Sequence, residues 1–85
     1  MPDNPPRVRV TLFAGMAEAA GRRSLELPWT GGTVADLRHR VAAAMPAIAP
    51  LLAQSAIALG DRYAKADDSV AAGADVAIIP PVSGG

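Results

Sequence analysis

The chain has 85 residues, eight basic and eight acidic side chains, and a hydrophobic fraction of 51%. This length fits one domain, and this hydrophobic fraction argues against disorder. The balanced charge gives no indication of a nucleic-acid surface or an anionic membrane as a partner. No run approaches the roughly 20 apolar residues that a membrane span needs, so no membrane segment is expected.

The sequence contains no cysteine and a single histidine, His39. Disulfides, cysteine nucleophiles and cysteine-based metal sites are therefore excluded. One histidine gives no credible metal site, and His39 falls on the polar face of the predicted main helix. We expect no metal ion and no cofactor bound by this chain.

The first part of the chain predicts two strands around a short helix. Residues 1–6 are polar and rich in proline, so we expect a flexible leader; they lack the layout of a secretory signal, which favours a cytoplasmic location. Apolar and polar residues alternate over 7–13, which is typical of a half-buried strand. Helix formers over 14–20 end at Gly21, and the alternation returns over 23–27.

The main helix is predicted to begin after a loop over 28–32. Thr33 is a good N-cap, and Asp36 would lie in the first turn. The helix should end near Met45, because Pro46 disfavours a helical residue before it. Its apolar positions, which share one helical face, are Val34, Leu37, Val41 and Met45.

The second half predicts three more strands. We expect a loop with a short turn of helix over 46–55, and then a strand over 56–59 with a short returning strand over 62–64. Residues 67–75 are predicted to be a polar connector. Residues 76–79 are apolar enough to form a central strand of the sheet.

These elements indicate an α+β fold in which one main helix packs on one face of a mixed sheet. The predicted domain covers residues 1–79, and residues 80–85 form an extended tail. Pro80 and Pro81 cannot continue a sheet ladder and favour an extended geometry. Gly84 and Gly85 have no side chains, so such an end could enter a narrow channel. A frayed terminus is the alternative, but it predicts random polar residues rather than this pattern.

The last ten residues, Val-Ala-Ile-Ile-Pro-Pro-Val-Ser-Gly-Gly, resemble the C-terminus of the MoaD/ThiS sulfur-carrier family. The resemblance is closest to its molybdopterin synthase small subunits, where a hydrophobic strand runs into Pro-Pro-Val-Ser/Thr-Gly-Gly. Residues 10–14 with Glu18 and Gly21 are similar to that family's first strand and short helix, and residues 73–77 to its approach to the last strand. The resemblance covers 7–85.

The resemblance implies a β-grasp (ubiquitin-like) fold and a definite chemistry for Gly85. An E1-like activating enzyme would use ATP to adenylate the terminal carboxylate, with Gly84 beside it. Sulfur from a sulfurtransferase or desulfurase would displace AMP and leave a thiocarboxylate. The large subunit of molybdopterin synthase would take in the tail, and the sulfur would enter the dithiolene of molybdopterin. The ATP site would belong to the partner, so the chain is not expected to be an enzyme alone.

A partner surface is predicted where the last strand meets the tail. We expect Phe13, Ile79 and Pro80 to border an apolar patch on the sheet face that the main helix leaves open. The tail itself, which continues this interface towards Gly84 and Gly85, comprises Pro81, Val82 and Ser83. Trp29 and Tyr63 are expected to pack in or around the core, and Arg38 to be an ordinary exposed charge.

Three alternatives stay open. The same carrier chemistry could serve thiamine thiazole, a cysteine or methionine pathway, or tRNA thiolation. The chain could instead be a ubiquitin-fold binding module or a protein modifier in which Gly85 forms an isopeptide bond. Ala17 stands where many relatives have arginine, and Ile79 where many have an aromatic residue, which leaves the details of partner recognition open. An independent enzyme is least favoured, because no nucleophile–base pair or metal constellation is visible.

Overall fold

A computed structural model describes residues 5–81 of the chain. Within this range the strands, in chain order, are β1 (Arg7–Leu12), β2 (Ser24–Pro28), β3 (Gly32–Thr33), β4 (Ala56–Leu59), β5 (Arg62–Tyr63), β6 (Ser69–Val70) and β7 (Asp75–Ile79). The α-helices are α1 (Ala14–Ala20), α2 (Val34–Ala44) and α3 (Ala49–Leu52), and a 3-10 helix (Pro46–Ile48) precedes α3.

Five of these strands form one mixed sheet. Their order is β2-β1-β7-β4-β5, so the last strand lies at the centre. β1 and β7 run parallel, and the other three pairs are antiparallel. The predicted α+β fold with a mixed sheet and a central last strand is therefore confirmed. β3 and β6 form a separate two-stranded antiparallel sheet.

The hydrophobic core lies on one face of the large sheet. β1 shows why: its apolar residues are buried while Arg7 and Arg9, which alternate with them, are exposed. α2 covers this face as the one main helix and contributes three fully buried side chains. The core side chains that these elements and their neighbours supply include Val8, Val10, Leu12, Met16, Val34, Leu37, Val41, Ile48, Leu52, Ile57, Val76 and Ile78.

The predicted helix ends are confirmed. The Thr33 side-chain oxygen accepts a hydrogen bond from the Asp36 amide at 3.1 Å, and the Asp36 carboxylate accepts one from the Thr33 amide at 3.0 Å. This reciprocal pair is a capping box, and it satisfies two amides at the start of α2. Gly21 adopts a left-handed conformation at φ 74° and closes α1.

One predicted loop contains a strand that was not expected, and the short turn of helix expected over 46–55 is confirmed. The polar connector over 67–75 holds β6, in which Val70 is buried and its carbonyl accepts a hydrogen bond from the Trp29 indole at 3.0 Å. A side chain at Gly32 would meet the Trp29 ring at 3.2 Å, so glycine lets β3 pass beneath it. The segment over 46–55 forms the 3-10 helix and α3. Strands of two residues carry no alternation, which is why the sequence did not reveal β3 and β6.

The prediction that Arg38 is an ordinary exposed charge was wrong. Its guanidinium is partly buried and donates to the Leu52 carbonyl and the Ser55 carbonyl, both at 2.8 Å. The buried Ser55 hydroxyl in turn donates to the Leu51 carbonyl at 2.7 Å. Arg38 therefore joins α2 to α3 and to the chain that enters β4.

Replacing Thr33 with alanine should destabilise the fold by about 1 kcal/mol, because the Asp36 amide loses its capping acceptor. Chemical denaturation of both proteins measures this difference. Thr30→Ala is the matched control, since Thr30 is exposed in the preceding loop and is not the cap. Equal stability of Thr33→Ala and the wild type would contradict the role of the capping box.

The capping box should also make stability depend on acid pH. The hydrogen bond from the Thr33 backbone holds the pKa of the Asp36 carboxyl below its ordinary value of 3.8. A lowered pKa in the folded state adds stability above the unfolded pKa, and this contribution disappears as the pH falls through the folded pKa. The wild type should therefore exceed Asp36→Asn in unfolding midpoint at neutral pH, and the difference should shrink as the pH falls and protonates the Asp36 carboxyl. A constant difference across this change of pH would contradict the assignment.

Candidate functional site

The last strand delivers the chain to one edge of the sheet. β7 lies between β1 and β4, and its register ends with Ile79 opposite Ala56. Pro80 and Pro81 follow at once; neither has an amide hydrogen to continue the ladder, and the strand stops at Ile79. Pro80 is partly buried and Pro81 is exposed, so the described part of the chain ends at the surface of the protein.

An open apolar groove of about 520 Å³ lies beside the end of β7, and we call it the tail groove. Its lining residues come from the β1–α1 corner, from α3 and from the end of β7: Phe13, Ala14, Gly15, Leu51, Ile79, Pro80 and Pro81. Its walls are hydrocarbon and backbone and hold no charged side chain, so it suits contact with apolar groups of another protein.

The β1–α1 corner shapes one wall of the tail groove. Phe13 is the N-cap of α1, and 48% of its surface is exposed. Ala14 has a φ of 50°, which places a residue with a Cβ in the left-handed region at a cost of about 1 kcal/mol. Gly15 follows in α1, where glycine is less favourable than alanine by roughly 0.5–1 kcal/mol. The backbone conformation of Ala14 and the glycine at position 15 therefore both lower the stability of the fold.

The open face of the large sheet continues from the tail groove. Cross-strand neighbours share a face, so the pairings of Thr11 with Ala77, Ala77 with Ala58, and Ala58 with Tyr63 form one row. Ile79 lies two residues beyond Ala77 and therefore faces the same side. Tyr63 stands at the end of the row with 71% of its surface exposed. Ala77 and the buried Ala58 thus form a strip of small side chains between the larger side chains of Ile79 and Tyr63.

The other half of the open face is charged. Arg7 donates to the Glu26 carboxylate at 2.6 Å, and Arg9 lies 3.8 Å from the second oxygen of the same group. The hydrogen bond from Arg7 lowers the pKa of Glu26 below its ordinary value. The charged side chains of this half pair with one another. The apolar half of the open face is not covered by any other part of the described chain.

The structure brings several of the predicted site residues together. Phe13, Ile79, Pro80 and Pro81 line the same groove. Their contact with a partner stays a prediction. The remaining predicted positions, Val82, Ser83, Gly84 and Gly85, lie outside the described residues, and the chemistry assigned to Gly85 and Gly84 also stays a prediction.

Sequence reasoning missed three residues of this surface. Leu51 was expected only within a loop with a short turn of helix, but it lines the tail groove from α3. Gly15 was treated only as part of a short helix. The expected packing of Tyr63 in or around the core was wrong, since its ring is largely exposed; the structure pairs it with Ala58 on the open face. Trp29 is buried as expected.

The other candidate residues do not form a second catalytic or metal-binding site within residues 5–81. His39 is exposed on α2, and the Asp68 carboxylate accepts a hydrogen bond from the Lys65 amide at 2.7 Å within a turn. Across residues 5–81, histidine and acidic side chains nowhere cluster in a group of three or more that could hold a metal ion. In the same range, every helix is too short or too polar to cross a membrane.

Comparison with known proteins identifies the family. The model of the ThiS family matches residues 10–85, which is most of the chain. The chain belongs to the ThiS family. The chain is 36% identical to the molybdopterin synthase sulfur carrier subunit of Chlamydomonas reinhardtii, over 93% of this chain and 99% of that protein. It is 32% identical to the subunit of the same name from Dictyostelium discoideum, over 91% and 94% of the two chains.

Solved structures confirm the predicted β-grasp fold of this ThiS-family chain. SAMP1 from Haloferax volcanii superposes with a TM-score of 0.81 and 28% identity, covering 93% of this chain and 99% of that one. A putative molybdopterin converting factor subunit 1 from Pyrococcus furiosus gives 0.79 and 26%, covering 91% and 99%. A complex of subunits 1 and 2 of molybdopterin-converting factor from Helicobacter pylori gives 0.66 and 21%, covering 93% and 99%, and supports the fold alone.

Replacing Ile79 with aspartate should abolish binding to the partner that the sequence resemblance implies, the large subunit of molybdopterin synthase, because a carboxylate would then stand in the apolar groove without a partner. The fold should survive, since the core side chains of β7 are Val76 and Ile78 on the opposite face. Calorimetry measures the affinity, and thermal unfolding checks the fold.

The matched control for this charge is Ala72→Asp. Ala72 is exposed in the turn before β7, at the other end of that strand. The control should bind as the wild type does. Unchanged affinity of Ile79→Asp, in a protein that is folded, would show that the tail groove is not the contact surface.

Proposed function

We propose that this chain is the sulfur-carrying small subunit of molybdopterin synthase and that its working group is the carboxylate of Gly85. The observation that carries this proposal is the 36% identity to the sulfur carrier subunit of Chlamydomonas reinhardtii over 99% of that protein. Because the match covers almost the whole relative, that protein has no additional domain to which its role could belong. The Dictyostelium discoideum subunit supports the same reading.

The chemistry of the tail requires activation by another protein. A free α-carboxyl has a pKa of about 3.5, so at neutral pH it is an anion that resists nucleophilic attack at its carbonyl carbon. Attack of this carboxylate on ATP gives an acyl adenylate and releases pyrophosphate. A sulfurtransferase or desulfurase carries sulfur as a persulfide, and thiols reduce this persulfide to sulfide and become a disulfide; the sulfide then displaces AMP and leaves a thiocarboxylate. An E1-like activating enzyme supplies the ATP site.

The geometry supports a carrier that presents its end to other proteins. The central strand anchors the tail by ladders on both sides, and Pro80 and Pro81 end the ladder where the chain meets the surface. The tail groove and the strip towards Tyr63 form one apolar surface around this exit. We assign this surface to the large synthase subunit, which receives the charged tail and uses its sulfur for the dithiolene of molybdopterin.

Two alternatives differ in what accepts the activated carboxyl. Another sulfur acceptor, in thiamine, cysteine, methionine or tRNA chemistry, would keep the same thiocarboxylate. A protein modifier would instead join Gly85 to a lysine by an amide bond, and the similarity to the small archaeal modifier protein SAMP1 of Haloferax volcanii favours this second candidate function.

Charging with a cognate activating enzyme, ATP and a sulfide source should replace one oxygen of the C-terminal carboxylate with sulfur. Mass spectrometry of the C-terminal peptide must locate the change at Gly85, because oxidation of any of the three methionines adds nearly the same mass. A variant lacking Gly84 and Gly85 should remain uncharged. The charged protein mixed with the large subunit and a cyclic pterin precursor should then lose its sulfur.

The reaction needs a known carrier, charged in parallel by the same enzyme, to show that the enzyme is active. Failure of this chain beside a charged control would rule out the sulfur-carrier function. A thiocarboxylate that forms but is not consumed with the large subunit would move the assignment to another acceptor. An amide between Gly85 and lysine in cell extracts would favour the modifier.

A further inference from the structure

The fold does not require glycine at position 15. Gly15 lies inside α1 and does not have the positive φ that Gly21, Gly31, Gly60 and Gly73 adopt. A Cβ built at Gly15 meets no heavy atom within 4 Å, whereas one at Gly32 meets the Trp29 ring. Alanine would therefore fit and would favour the helix. Within the chain itself, glycine at this position carries only a cost.

The position is informative because Gly15 lines the tail groove. It lies in the β1–α1 corner with Phe13 and Ala14, and it is exposed. With no side chain at Gly15, this part of the wall is bare backbone. Such a surface admits a neighbouring main chain more closely than any other residue would.

The short length of the tail indicates which protein covers this wall of the tail groove. Only four residues separate Pro81 from the Gly85 carboxylate, and four residues span at most about 14 Å. A protein that holds the thiocarboxylate in its active site must therefore bring its own surface close to the tail groove. This step rests on the function proposed above.

We propose that Gly15 is a specificity-determining residue, at which a main-chain segment of the large synthase subunit passes directly against α1. A Cβ or a longer side chain there would force the segment away and open the contact around Phe13 and Ile79. The residue acts on recognition of the partner and takes no part in the sulfur chemistry.

The test compares Gly15→Ala and Gly15→Leu with the wild type in calorimetric binding to the large subunit encoded by the same genome. Both variants should unfold at a temperature equal to or higher than that of the wild type. Affinity should fall for alanine and fall by about tenfold or more for leucine, because the added atoms cannot be accommodated in a close contact. Ala19→Leu is the matched control: Ala19 is exposed one turn further along α1 and does not line the groove.

Wild-type affinity for Gly15→Leu would overturn the proposal, and so would an equal loss in Ala19→Leu. Normal binding to the large subunit with slower charging by the activating enzyme would assign Gly15 to that enzyme instead and overturn it as stated. If the wild-type chain neither becomes charged nor binds the large subunit, the proposed function itself fails, which is a different result from failure of the leucine variant alone.

Discussion

The parallel pairing of β1 with β7 is the constraint on which the functional surface depends. Parallel strands end at the same edge of a sheet, and the register sets Leu12 opposite Ile78. Phe13 and Ile79, the next residues of each strand, must therefore emerge side by side. β4 runs antiparallel to β7 and begins at this same edge, so α3, which precedes it, is brought there too. Three segments distant in sequence thus meet at the root of the tail because of strand direction alone.

The two faces of the sheet have different roles: one face forms the stabilising core, and the other holds the surface proposed for recognition of a partner. Side chains on the α2 face form the buried core, and a domain of this size has little apolar area to spare. The open face holds small residues, which add little apolar area to the core, together with the large side chains of Ile79 and Tyr63. The strained Ala14 and the glycine beside it lie on the groove side of this division. The strained conformation and the helical glycine therefore lie on the surface that is proposed to receive the partner.

Most of the fold could be predicted from the sequence because its long elements have strong periodicity. Alternation fixed the face of β1, and the Thr33–Asp36 spacing located the start of α2. The tail was visible for a different reason, since prolines followed by glycines have few structural explanations. The two-residue strands β3 and β6 were missed because they contain no full period, whereas the equally short β5 was predicted from the Gly60-Asp61 turn before it. The contact of Leu51 with the groove needs the β4–β7 register, which no local pattern encodes.

Arg38 shows how a residue far from the tail still bears on it. Its guanidinium forks between the Leu52 and Ser55 carbonyls, and the Ser55 hydroxyl holds the Leu51 carbonyl. The Leu52 carbonyl at the end of α3 also accepts the Ser55 amide at 3.0 Å, so the planar, permanently charged guanidinium adds a second donor there and supplies one to the Ser55 carbonyl. α3 is too short to be stable by its own hydrogen bonds. The helix that covers the core therefore also fixes the backbone that presents Leu51 to the groove, and the rigid part of the molecule defines the surface from which the tail departs.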